Sequence, residues 1–139
     1  MKKILFDADA YIALSNKNDA LHQPMVKLLK ELKIQQWEYQ AFTTWEVIDE
    51  VATKLSYFLS KASSKRFLNY LEQDQVIIIY PDPHLATDTI NLFKKIKSKR
   101  VSLTDCFNMV AFKNLDLDMI CSFDKVYKKQ GLPLLADMF

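Results

Sequence analysis

Apolar residues along this chain fall into two kinds of run. Ile4-Leu5-Phe6, Gln40–Thr43, Val76–Tyr80 and Met119–Phe123 are short and nearly continuous, too brief for helices and consistent with buried strands. The stretches between them carry helical spacing. Met25, Leu28, Leu29 and Leu32 match the i, i+3, i+4, i+7 template, with Pro24 where a helix can begin. Residues 44–72 read as two helices separated near Ser60–Ser64, a hairpin that could project from the body. A further helix follows Pro81-Asp82-Pro83 and runs to about Lys97, and Cys106 to Phe112 is apolar nearly all round, as in a helix packed centrally. Gly131 suits the position just past a helix over Asp124–Gln130. Strands alternating with helices over 139 residues predict one α/β domain spanning 1–139, with a mostly parallel central sheet, right-handed crossovers and helices on both faces. In such sheets ligands bind outside the carboxyl ends of the strands.

Composition narrows the chemistry. Nineteen basic against 17 acidic side chains leave a net charge of +2, so any nucleic-acid contact must come from local patches. Gly131 is the single glycine, which argues against glycine-rich phosphate loops and dinucleotide turns. There is no G-x-S-x-G elbow, and His22 and His84 stand far apart with no H-E-x-x-H spacing. Cys106 and Cys121 lie in apolar surroundings and read as buried thiols of a reducing compartment, hence a cytoplasmic protein. No apolar run reaches spanning length and Asp7 interrupts the first one, so neither a signal peptide nor a membrane anchor is expected.

What remains is acidic. Asp7 closes the first strand, Glu46 opens the helix after the second, Asp105 opens the central helix and Asp124 follows Met119–Phe123. Each has an ordinary explanation. Thr43-x-x-Glu46 fits a capping box, Asp105 suits a first turn capped by Ser102 or Thr104, and Asp124 suits the cap of the helix ending at Gly131. Asp7 competes with Asp9 for the same backbone donors, which makes a plain turn role less complete. Carboxylates converging to about 5 Å would repel by roughly 3 kcal/mol per pair at an effective dielectric near 20. A hard cation such as Mg²⁺ or Mn²⁺ would offset that repulsion, and without one a carboxyl pKa should rise.

Val101-Ser-Leu-Thr-Asp105-Cys, an apolar helix, and Ile120-Cys-Ser-Phe-Asp124-Lys together resemble the third and fourth acidic motifs of the PIN-domain ribonucleases. Ile4-Leu-Phe-Asp7-Ala-Asp9 followed by Tyr11-Ile-Ala-Leu14 is similar to the first motif, and Thr43-Thr-Trp-Glu46-Val-Ile to the second. Glu50, one turn on, and Asp49, on another face, are weaker candidates for the second. The closest likeness is to the VapC-type toxin of VapBC toxin–antitoxin pairs, and it covers essentially the whole chain. It implies a three-layer α/β/α PIN-like sandwich. It further implies an endoribonuclease in which Asp7, Glu46, Asp105 and Asp124 bind Mg²⁺ or Mn²⁺ and a metal-activated water cuts single-stranded RNA. Ser122 stands where the family often has a hydroxyl near metal-bound water, and Asp9 where Asn or Ser is common. No acid follows Asp124 closely, unlike in some relatives.

The resemblance also implies a homodimer and a small antitoxin partner. Lys94, Lys95, Lys97, Lys99 and Arg100 precede Asp105 and suit either a solvated helix end or a phosphate track. Lys61–Arg66 and Lys125, Lys128 and Lys129 could extend that track, with Tyr11 or Trp45 available for base stacking if they are not core. Two alternatives stay open: a non-catalytic PIN-like module that binds RNA or protein, and a HAD-type phosphatase with Asp7 as nucleophile.

Overall fold

The computed structural model describes Met1–Phe139 throughout. Four strands, β1 (Lys2–Phe6), β2 (Tyr39–Thr44), β3 (Ile77–Ile79) and β4 (Met119–Cys121), form a wholly parallel sheet in the order β3-β2-β1-β4. Helices α1 (Ala8–Ser15) and α2 (His22–Ile34) connect β1 to β2, and α3 (Trp45–Phe58) and α4 (Lys61–Gln73) connect β2 to β3. Helices α5 (Pro83–Lys95) and α6 (Leu103–Asn114) precede β4, followed by α7 (Lys125–Lys129) and a 3-10 turn, Leu135–Met138.

Strand alternation sorts the core into two layers. Ile4, Phe6, Ala41, Met119 and Cys121 pack against α1 to α4, whereas Leu5, Phe42 and Ile120 pack against α5, α6 and α7. Both faces are therefore covered, and the fold is the expected three-layer α/β/α sandwich. The chain walks from β1 to β2 to β3 in one direction and then returns to the far side of β1 for β4. That reversal opens a crevice at the carboxyl ends of β1 and β4, where such sheets place their ligands.

Several local expectations change. The spacing does not separate α1, which starts immediately after β1 because Asp7 caps it. β4 ends at Cys121, two residues earlier than the apolar run, because the Ser122 hydroxyl and the Phe123 N–H turn to Asp9. The capping box at Thr43 and Glu46 does not form. Thr44 is the cap, accepting from the Val47 N–H at 3.3 Å, while Thr43 donates to the Phe6 carbonyl at 2.9 Å and ties β2 to β1. The α3–α4 hairpin packs against the sheet through Val51, Leu55, Phe67 and Leu71 rather than projecting from it, and its tip, Tyr57 to Leu59, is exposed. The scarcity of glycine is met by Gln36, Gln75 and Asp116, which take the left-handed conformation after α2, α4 and α6 as Gly131 does after α7.

Candidate active site

Asp7 sits at the end of β1, 8% exposed, with both carboxylate oxygens engaged. Oδ1 accepts from the Ala8 N–H at 2.7 Å and from Asn108 Nδ2 at 3.2 Å. Oδ2 accepts from the Tyr127 hydroxyl at 2.8 Å and faces Ser122 Oγ at 3.5 Å. Behind it lies a buried polar chain. The Thr44 hydroxyl donates to Asn108 Oδ1 at 2.8 Å, and Asn108 Nδ2 also donates to Tyr127 Oη at 2.9 Å. Asn108 is wholly buried, so each of these bonds is made without competition from water. The network fixes the Asp7 carboxylate from three elements: α6, α7 and the end of β2.

Asp105 joins from α6. It stands at the third helical position in a reciprocal cap: its N–H donates to Ser102 Oγ at 3.0 Å, and its Oδ2 accepts from the Ser102 N–H at 2.9 Å. The cap leaves Oδ1 turned inward, 3.3 Å from the Tyr127 hydroxyl. Tyr127 has one proton to give, and Asp7 at 2.8 Å is its nearer acceptor. Two carboxylates thus share one hydroxyl donor, an arrangement that a proton or a cation relieves.

Asp9 lies on α1 beside them. Its Oδ2 accepts from the Phe123 N–H at 2.8 Å and from Ser122 Oγ at 3.1 Å, while its Oδ1 is buried with no partner. Ser122 Oγ also accepts from the Asp124 N–H at 3.0 Å, which links Asp9 to the start of α7. Asp124 is exposed and caps that helix through the Val126 N–H. Burial, reinforced by Asp9 and Asp105 and opposed by the Tyr127 and Ala8 hydrogen bonds, pushes the Asp7 carboxyl up to about 7. Burial raises Asp9 as well, with Asp124 adding a smaller push. Burial and the two carboxylates also raise the Tyr127 hydroxyl far above the ordinary phenol range, so it remains a donor.

Asp7, Asp9, Asp105 and Asp124, with Ser122 between them, are therefore one neighbourhood. Glu46 is not tied into this hydrogen-bond network. It lies in the first turn of α3 with Oε2 buried and unpartnered, raised by burial and by Asp49, and it makes no hydrogen bond to the other acids. Glu50, one turn further, lines a cavity of about 670 Å3 together with Asp9, Asp19 and Lys54. Replacing each glutamate by glutamine separates them: if the cavity with Asp9 serves the acidic site, Glu50→Gln lowers any catalytic rate of that site at least tenfold and Glu46→Gln changes it less than threefold, as read in initial rates.

The donor set consists of hard carboxylate oxygens, the chemistry that suits Mg²⁺ or Mn²⁺. No three of them form a ready ion cage. The unpartnered Asp9 Oδ1 and the under-supplied Asp105 Oδ1 are nonetheless oxygens that a cation would satisfy. Asn108, Tyr127 and Thr44 were not among the sequence candidates. Asn108 carried the only available signal, as the amide in an otherwise apolar helical stretch.

No family model matches the chain, and no curated protein matches it by sequence. Among solved structures it is similar to Mycobacterium tuberculosis VapC20, described as a sarcin-ricin loop cleaving toxin, with a TM-score of 0.81 and 16% sequence identity over 93% of this chain and 95% of that one. At that identity the likeness is one of fold. The parallel sheet, its reversal at β1 and the acids gathered there accompany a chain that has the fold of a VapC-type PIN domain.

Proposed function

We propose that the protein is a metal-dependent endoribonuclease that hydrolyses phosphodiester bonds of single-stranded RNA, and that it acts as the toxin of a toxin–antitoxin pair. The observation that carries this reading is the Asp7–Tyr127–Asp105 bridge at the carboxyl edge of the sheet, in a chain with the fold of an RNA-cleaving toxin. Asp7, Asp105 and Asp124 would hold Mg²⁺ or Mn²⁺, with Asp9 and Ser122 beside them. The fourth carboxylate comes from α3, from Glu46 or Glu50, and Glu50 shares the cavity with Asp9. When bound, the ion polarises a phosphoryl oxygen and makes a water nucleophilic near neutral pH.

The chain's own residues do the rest. Asn108 and Tyr127 hold the Asp7 carboxylate in one orientation, so little reorganisation is needed when substrate arrives. Ser122 Oγ, between Asp9 and the Asp124 N–H, keeps the α1 and α7 acids in register. A small antitoxin and a second copy of the chain are the proposed partners, and the cytoplasm the proposed compartment. No helix is long and apolar enough to cross a membrane.

Labelled single-stranded RNA, incubated with the wild type and with Asp7→Asn in Mn²⁺, Mg²⁺ or EDTA, tests the reading. Cutting should require a divalent ion, and EDTA should abolish it reversibly. Equal residual cutting by both proteins would assign the activity to a contaminant. Tight RNA binding indifferent to metal, with no cutting, would favour a non-catalytic module. A sarcin-ricin loop RNA is the first structured substrate to try, since the structural neighbour is described as cleaving it.

A further inference from the structure

We propose that Trp45 and Tyr80 form a stacking platform for an unpaired RNA base beside the acidic site, a proposal that rests on the ribonuclease reading. The pair follows from register. β2 and β3 are parallel with Thr44 opposite Ile79, so the next residues, Trp45 and Tyr80, emerge side by side at the carboxyl edge of the sheet. Their ring centroids lie 5.9 Å apart with planes 28° from parallel, and they remain 48% and 59% exposed. A stacked aromatic pair left half in water leaves apolar surface unburied, unlike Tyr11, which is buried in the core.

The platform occupies the same edge as the acids. β1 lies beside β2 with Leu5 opposite Phe42, and the same register continued sets Asp7 beside Thr44, one residue before Trp45. Thr44 itself reaches Asp7 through Asn108. Two strand spacings, about 10 Å, separate the strand of Tyr80 from that of Asp7, a distance that one or two nucleotides span. A phosphodiester held at Asp7 and Asp105 therefore carries a neighbouring base over the rings. Trp45 also borders a groove of about 480 Å3 lined by Ile48, Leu68 and Ile78 with the polar Glu72 and Gln75, large enough for a base and able to hydrogen-bond its edge. Aromatic platforms accept any base, so the contact sets affinity and position more than sequence.

Trp37 and Trp45 are the two tryptophans, so Trp37→Phe leaves Trp45 as the sole indole reporter. Placed in an Asp7→Asn background that keeps the RNA intact, this variant is titrated with a short single-stranded RNA and with an abasic ribose-phosphate chain of equal length. The RNA should quench Trp45 emission and the abasic chain should not. Trp45→Ala should weaken RNA binding about tenfold, Trp45→Phe should restore most of it, and neither should alter binding of the abasic chain. If anisotropy shows RNA bound while Trp45 emission is unchanged and Trp45→Ala binds equally well, the platform is overturned and the ribonuclease reading stands. If no form binds RNA and the wild type does not cut it, that reading fails and the platform with it. If Trp45→Ala instead abolishes self-association in sedimentation without affecting RNA, the rings are a contact between copies and the proposal is overturned.

Discussion

Asp7→Asn should abolish RNA cleavage and, above neutral pH, make the protein more stable. The loss of activity should exceed a hundredfold, because removing a residue that merely orients a metal ligand already costs about 10–100-fold and Asp7 is proposed as a ligand itself. The gain in stability follows from the Asp7 environment. Its carboxyl is raised from 3.8 to about 7, mainly by burial. Between those values the folded chain holds a proton at Asp7 that the unfolded chain has released. Stability therefore falls as pH rises through that window and levels off above it. The full shift corresponds to at most about 4 kcal/mol. Asp9, also raised, contributes with the same sign.

Asparagine carries no charge to desolvate. It can still accept from Ala8, and the Tyr127 hydroxyl can then turn its proton to Asp105. The variant should thus exceed the wild type by about 2–4 kcal/mol at pH 8, and the two should converge near pH 4. Thermal melts across that range check the difference. Saturating Mn²⁺ should narrow it at pH 8, because an ion at Asp7 favours the charged carboxylate of the wild type alone. A variant equally stable at pH 8 and pH 4 relative to the wild type would show that the Asp7 carboxyl is not held in this unfavourable environment.

Asn108→Leu should cause a large, pH-dependent loss of stability. Leucine keeps the branched shape and heavy-atom count of asparagine but is bulkier, so a pH-independent overpacking cost adds to the loss of hydrogen bonds. The substitution removes the donor to Asp7 Oδ1 and Tyr127 Oη and the acceptor for the Thr44 hydroxyl, all within a buried region. Each group left without a partner costs about 1–3 kcal/mol, and a total of about 3 kcal/mol would lower the midpoint of thermal unfolding by roughly 10 °C. The loss should be smaller near pH 5, where Asp7 is protonated and needs fewer donors. Chemical denaturation at the two pH values distinguishes this from loss of packing, which would be the same at both. RNA cleavage should fall as well, because Asp7 would no longer be oriented from α6.

Much of this organisation is written locally. The buried runs at residues 4–6 and 119–121 and the periodicity of α2 state their elements because side chains one or three to four positions apart already share a face. Helix starts are equally legible where Ser102 with Asp105, and Asp82 before Pro83, satisfy free N–H groups within one turn of themselves, whereas the break read over Ser60–Ser64 is confined to Leu59 and Ser60, with α4 running from Lys61. Asp7, Asp105 and Asp124 could be singled out for the same reason, each lying at a strand end or a helix start. The same local view misplaced the cap of α3. Thr43 and Thr44 are both suitable, and only the bond from Thr43 to the Phe6 carbonyl on β1 decides that Thr44 is the one left for capping.

The sequence by itself thus determined the α/β class and most of the helices, though not α1, and singled out Asp7, Asp105 and Asp124 at strand ends and helix starts. Tertiary structure alone decided what surrounds them. Asn108 and Tyr127 lie 101 and 120 positions from Asp7, and Thr44 lies 64 from Asn108, separations across which no periodicity or spacing carries information. Whether Glu46 or Glu50 approaches Asp9, and whether Trp45 is buried or stacked on Tyr80 in water, depend on how α3 is set against α1 and how β2 registers with β3. Those choices are settled by side chains competing for space and hydrogen bonds across elements, and they exist only once the sheet has closed.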